Sequence, residues 1–210
     1  IEDFDAHMIN NQMFSHIKSE AMAASQWMAK EWGEPEWCKG YGQRNTHLLA
    51  VAPTMSTALI CGGVSQGIEP IVANVYNQST AAGEMLRCNP RVIQLMHERG
   101  VYDPALVRHI MNNNGSVQDQ TTWLSDHERR VLKTAYEVPQ DALIRLAAAR
   151  QRHICQGQSL NLFFDADEDE GYIAMIHQQA LTNDWIKAVY YQRGLAGIKA
   201  SKGECTACDG

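Results

Sequence analysis

Apolar residues recur at helical spacing through Phe14, Ile17, Ala21, Ala24 and Met28, and Gly33 followed by Pro35 ends the pattern, which predicts an amphipathic helix. The run Leu48-Leu49-Ala50-Val51-Ala52 stops at Pro53 and reads as a short buried strand feeding a turn. Two Asx-Pro pairs then mark helix starts, because the Asx side chain accepts from free amides and proline in the first turn has no N–H to satisfy. Asn89-Pro90 opens a helix carrying Val92, Ile93 and Met96 as far as Gly100, and Asp103-Pro104 opens one that stops near Asn114-Gly115. Ser125 with Glu128 is a capping-box pattern for a third helix, bearing Val131, Leu132 and Tyr136 before Pro139. Further on, the pattern predicts a helix over 142–152, a strand with Leu160, Leu162 and Phe164 alternating, a helix carrying Tyr172, Met175, Ile176 and Leu181, and a short strand over 188–191. Strands separated by helices make an α/β arrangement, yet about three strands are too few for a closed barrel or a large doubly wound sheet. The expected unit is α/β and incomplete.

The chain has 210 residues, 45% of them hydrophobic, which is enough to bury a core. A net charge of -6 argues against a broad nucleic-acid-binding surface, so any anionic ligand must be held by local groups. The 6 cysteines are irregularly spaced and resemble no secreted disulfide framework, and neither a signal peptide nor a long apolar run appears. The expected setting is reducing and cytoplasmic, with no membrane. A start at Ile1 rather than Met fits processing, a split product or trimming, without choosing among them.

Candidate chemistry lies in three places. At Pro53-Thr54-Met55-Ser56-Thr57 a strand gives way to a helix, and free amides beside three hydroxyls suit phosphate oxygens; an N-cap with nothing bound is the competing reading. Tyr190 and Tyr191 are adjacent phenols, protonated at neutral pH, so oxidising one must move a proton with the electron. Two strand tyrosines on opposite faces is the plainer alternative. Cys205 and Cys208 form a terminal Cys-x-x-Cys beside Lys199 and Lys202, which favour the thiolate. From Tyr191 to Cys205 a flexible chain reaches roughly 20 Å on average and about 50 Å at most. Half a zinc site is the alternative, but no second Cys-x-x-Cys or His pair is suitably placed, so no metal ligands are assigned. Cys38, Cys61 and Cys88 read as small buried residues, the methionines as core filler, His153 as a helix-end cation and the acidic run 165–170 as a solvated helix start.

The segment Arg44-Asn45-Thr46-His47-Leu48-Leu49-Ala50-Val51-Ala52-Pro53-Thr54-Met55-Ser56-Thr57 resembles the substrate-phosphate segment of the large (alpha) subunit of class I ribonucleotide reductase. Matches follow in order at Gly67-Ile68-Glu69-Pro70, Asn114-Gly115-Ser116, Gln156-Gly157-Gln158-Ser159-Leu160-Asn161, Tyr190-Tyr191 and the terminal dithiol. The resemblance implies the C-terminal portion of a ten-stranded α/β barrel, with 1–193 as barrel segment and 194–210 as a flexible redox-active tail. It implies that Thr54, Met55, Ser56 and Thr57 cradle the phosphates of a ribonucleoside diphosphate. It gives Tyr190 and Tyr191 the relay of a radical from a small (beta) subunit, whose tyrosyl radical and dinuclear metal centre lie on that partner. Cys205 and Cys208 become the tail dithiol that re-reduces the active site and is recharged by thioredoxin or glutaredoxin. Cys155 stands where the family usually has an acidic residue before Gln-x-Gln-Ser.

The family's finger-loop segment, with its thiyl-radical cysteine, has no counterpart near any of the cysteines here, and the N-terminal regulatory regions are also missing. The resemblance therefore implies a fragment of a split alpha subunit that docks to an N-terminal fragment supplying the rest of the barrel. A stand-alone thiol-disulfide carrier and a non-catalytic assembly module are the alternatives.

Overall fold

In a computed structural model of the chain, residues 1–62, 65–80 and 83–195 are described. The elements run α1 (Phe4–Trp32), a single 3-10 turn (Glu36–Cys38), α2 (Met55–Ile60), β1 (Val75–Thr80), β2 (Gly83–Cys88), α3 (Pro90–Glu98), α4 (Pro104–Asn112), α5 (Asp126–Val131), α6 (Gln140–Gln151), β3 (Asn161–Phe164), α7 (Glu170–Leu181) and β4 (Tyr191–Gly194). Among the described residues the strands make two two-stranded sheets, β1-β2 and β3-β4, and no closed barrel. The expectation of a barrel portion is thus reduced to a mixed α/β fragment. No described helix is long and apolar enough to cross a membrane.

The chain divides into two compact units. The first comprises Ile1–Pro53, Pro139–Leu162 and Asp169–Tyr191. Here α1 is longer than its apolar stripe predicted, and Gly33 ends it at φ 77°. Its covered line runs through Phe14, Ala21, Ser25, Met28 and Ala29, while Ile17 and Ala24 are exposed. α1 lies along α6: Asn10 Nδ2 donates to Leu146 O at 3.1 Å, and His153 Nε2 meets Asn11 Oδ1 at 2.8 Å. His153 therefore ties down α1 as well as ending a helix. α7 begins where Asp169 Oδ2 accepts from Tyr172 N, and the Tyr172 hydroxyl accepts from Gln140 N at the start of α6.

The second unit comprises 54–138, 163–168 and 192–210, of which 192–195 are the described part of the last segment. Its core gathers Val75, Val92, Leu95, Met96, Val107, Ile110, Val117, Trp123, Leu124 and Leu132. Met96 and Ile110 are wholly buried, each contributing about 1.5–3 kcal/mol by leaving water. Both Asx-Pro starts form as read: Asn89 accepts from Arg91 N and Asp103 from Ala105 N. The Ser125–Glu128 capping box is complete, and the Arg99 guanidinium together with Ser125 holds the Glu128 carboxyl down to about 2. That helix ends at Val131, however, short of Tyr136. The acidic run also differs from its reading. Only Asp169 caps α7, whereas Asp165, Asp167 and Glu168 line an open polar hollow with Asn114 and Leu195.

The β1-β2 hairpin escaped the sequence reading. Its antiparallel register pairs Val75 with Cys88 and Thr80 with Gly83. Beside it the side chain of Asn74, fully buried, donates to Gly115 O and Leu132 O, and its carbonyl oxygen accepts from Asn89 Nδ2. A buried amide is tolerable only when so satisfied. Asn114 and Gly115 turn the chain at φ 55° and 74°, letting Gly115 O also accept from Asn74 N. The Asn-Gly-Ser motif is thus a structural joint.

Candidate functional site

Ser25 starts the site. It is fully buried in α1, its hydroxyl accepts from Arg44 N and Asn45 N at 3.0 Å each, and it donates to Asn45 Oδ1 at 2.9 Å. Arg44 in turn donates to the carbonyls of Trp32 and Gly33, which the end of α1 leaves without helical partners. Arg44 and Asn45 therefore fix how the chain leaves α1 and enters residues 46–53.

Residues 48–52 do not form the buried strand expected. Leu48 and Leu49 are half-buried and the pairing reduces to one parallel bridge, Val51 with Gln158. Gln156 N donates to Leu49 O, Val51 N to Gly157 O and Ser159 N to Val51 O, at 2.8–3.2 Å. The motif Gln156–Asn161 thus lies against 49–51. Its two glutamines are held from α6: Gln151 Nε2 donates to Gln156 O, Gln158 Nε2 to Gln151 Oε1 and Ala147 O, and Arg150 Nε to Gln158 Oε1 at 2.6 Å. Arg150, Gln151 and Gln158 make a buried hydrogen-bond bracket that Gln156 joins through its backbone carbonyl, and removing one member takes a partner from the next.

The same motif carries the tyrosines. Tyr190 N donates to Leu160 O at 2.7 Å and Tyr191 N to Asn161 Oδ1 at 3.1 Å. β4 starts at Tyr191, three residues later than the strand expected, so Tyr190 stands outside it and strand alternation does not separate the rings. Both are about half exposed, with centroids 4.3 Å apart and planes inclined by 57°. The side-chain hydrogen bond with Tyr191, and that phenol's charge once ionised, raise the Tyr190 phenol above its ordinary value.

Cys155 is exposed, and its sulfur accepts from Leu48 N at 3.0 Å and Leu49 N at 3.2 Å. Desolvation opposes its ionisation, but the amides of Leu49, Leu48, Cys155 and Gln156 outweigh that and hold the thiol below its ordinary value. Lys187 Nζ donates to Cys155 O and Gln156 O. Nothing in the local sequence around Lys187 signalled this contact; it arises from residues 31 and 32 positions apart. Of the other cysteines, Cys38 is buried as expected, Cys88 is half-buried with desolvation raising its thiol, and Cys61 is exposed, correcting its reading as core.

In the second unit Thr54 adopts φ 46°, α2 starts at Met55, and Thr54 O accepts from Ala58 N. Thr54 and Thr57 are exposed, and Met55 and Ser56 occupy the first turn. Cys205 and Cys208 lie outside the described residues. Among the described residues no three metal-ligating side chains gather.

A family model described as the ribonucleotide reductase barrel domain matches residues 35–192. The chain belongs to the ribonucleotide reductase large-subunit family. It is 38% identical to a putative ribonucleoside-diphosphate reductase large subunit of Frog virus 3 (isolate Goorha), over 98% of this chain and 38% of that protein. The ribonucleoside-diphosphate reductase large subunit of Invertebrate iridescent virus 3 is 33% identical over 100% of this chain and 36% of its own length. A solved alpha subunit, the class Id ribonucleotide reductase of Actinobacillus ureae, superposes with TM-score 0.77 at 34% identity, covering 92% of this chain and 35% of that one. The chain therefore spans well under half the length of these relatives.

Proposed function

We propose that this chain supplies the C-terminal share of a ribonucleoside-diphosphate reductase large subunit, 1–193 as barrel segment and 194–210 as redox tail, acting with a chain that carries the remaining barrel and with a radical-bearing small subunit. The observation that carries the reading is the tyrosine pair: two half-exposed rings 4.3 Å apart, with their backbone pinned to Leu160 and Asn161. A phenoxyl on one ring takes a hydrogen atom from the other phenol, leaving a phenol on the first and a phenoxyl on the second. A phenol keeps its proton at neutral pH, and the upward shift at Tyr190 acts in the same direction, so the electron leaves with that proton.

Thr54, Met55, Ser56 and Thr57 would hold the substrate's phosphates, through the free amides at the start of α2 and the exposed hydroxyls of Thr54 and Thr57. Replacing the ribose 2′-hydroxyl by hydrogen releases water and consumes two electrons, which leave an active-site dithiol as a disulfide on the partner chain. A thiolate of Cys205 or Cys208 attacks that disulfide, the other thiol resolves the mixed disulfide, and thioredoxin or glutaredoxin reduces the tail in turn.

In a reconstituted reductase, Cys205→Ser or Cys208→Ser is expected to leave the first turnover intact and stop later turnovers driven by thioredoxin. Rapid-quench product counting per active site checks this. Sustained thioredoxin-driven turnover in either variant would remove the tail from the cycle.

A further inference from the structure

Two consecutive amides, Leu48 and Leu49, converge on one atom, the sulfur of Cys155, at 3.0 and 3.2 Å. In an extended strand successive amides point to opposite sides, so this convergence needs a local bend and an acceptor large enough to take both donors. The same sulfur reaches Leu49 O at 3.3 Å, and Lys187 holds the carbonyls of Cys155 and Gln156 from the far side of the sequence. Beyond the bend the chain makes a short parallel pairing, with Gln156 N on Leu49 O and Val51 bridged to Gln158.

We propose that Cys155 is a positioning residue whose sulfur seats Leu48 and Leu49, sets the register of 48–51 against 156–159, and so fixes the path of the chain into Pro53. The effect on nucleotide binding rests on the reading of Thr54–Thr57 as the phosphate segment; the seating itself does not. Alanine removes the one acceptor that the two amides share and turns them over to solvent, which frees the bend and slackens the register next to it. Aspartate restores an acceptor able to take two N–H groups.

The test is amide hydrogen exchange on the full chain, wild type against Cys155→Ala and Cys155→Asp. In Cys155→Ala exchange at Leu48 and Leu49 is expected to quicken at least about tenfold while the amides of α6 hold, and Cys155→Asp is expected to restore protection. Unchanged exchange at Leu48 and Leu49, or an equal rise throughout α6, overturns the seating. In the reconstituted reductase, Cys155→Ala should raise KM for the nucleoside diphosphate with kcat held, and Cys155→Asp should return it. A KM that stays put in Cys155→Ala while Thr57→Ala raises it overturns the positioning role and spares the phosphate segment. A KM unmoved by Thr57→Ala instead removes the phosphate segment, and the seating is then decided by exchange alone.

Discussion

Tyr190→Phe and Tyr191→Phe are each expected to drop deoxyribonucleotide formation to the assay background while nucleotide binding stays within about twofold. Phenylalanine keeps the ring and its packing but has no O–H, so neither hydrogen-atom transfer nor proton-coupled oxidation has a site. The rings are about half exposed, and little folding energy depends on either hydroxyl. The geometry has its own check, independent of turnover. Tyr190 is raised by Tyr191, so its neutral form persists above the ordinary tyrosine range in wild type. In Tyr191→Phe that cause is gone, and the Tyr190 phenol should ionise at lower pH in an absorbance titration. Unchanged titration would mean that the two phenols do not interact, and turnover retained in either variant would remove the relay assignment.

The second large effect is on stability. A Cβ at Gly115 would stand 2.4 Å from Ala73 Cβ, 2.7 Å from Ala73 Cα and 2.8 Å from Asn74 N, and the residue sits at φ 74°. Two of these neighbours are backbone atoms beside the buried Asn74–Asn89 bond, which cannot swing aside as a flexible side chain would. Overpacking and a left-handed L-residue together cost about 2–5 kcal/mol, so Gly115→Ala should unfold at markedly lower denaturant. Gly157→Ala is the control, since nothing lies within 4 Å of its added Cβ and its φ is ordinary. Equal denaturation midpoints for the two variants would contradict the close packing at Gly115.

What was legible in the sequence was mostly local. Asn89, Asp103 and the Ser125–Glu128 box form caps from side chains acting within three residues, and each is found where its pattern stands. The strands were less legible. β3 is buried on both faces, so Leu160, Leu162 and Phe164 gave an apolar run whose alternation carried no information about sides. The β1-β2 hairpin has a mostly exposed second strand, and its Met85 and Leu86 face outward, so neither periodicity nor burial marked it. Leu48–Ala52 looked like a strand, but the amides of Leu48 and Leu49 end on a sulfur more than a hundred residues away. The candidate site divides the same way. Its residue types and their order are visible in the chain, whereas the bracket of Arg150, Gln151 and Gln158 and the anchoring by Ser25 depend on contacts that folding creates.

The central proposal is that this chain completes a reductase. The most direct measurement is the yield of deoxyribonucleoside diphosphate from a mixture of the radical-bearing small subunit, a large-subunit chain holding the remaining barrel, and a dithiol reductant, with and without this chain. Product that appears only when the chain is added, and saturates at one chain per large-subunit partner, is the predicted result. Product formed equally without it, or none with it despite a stable complex, would contradict the account.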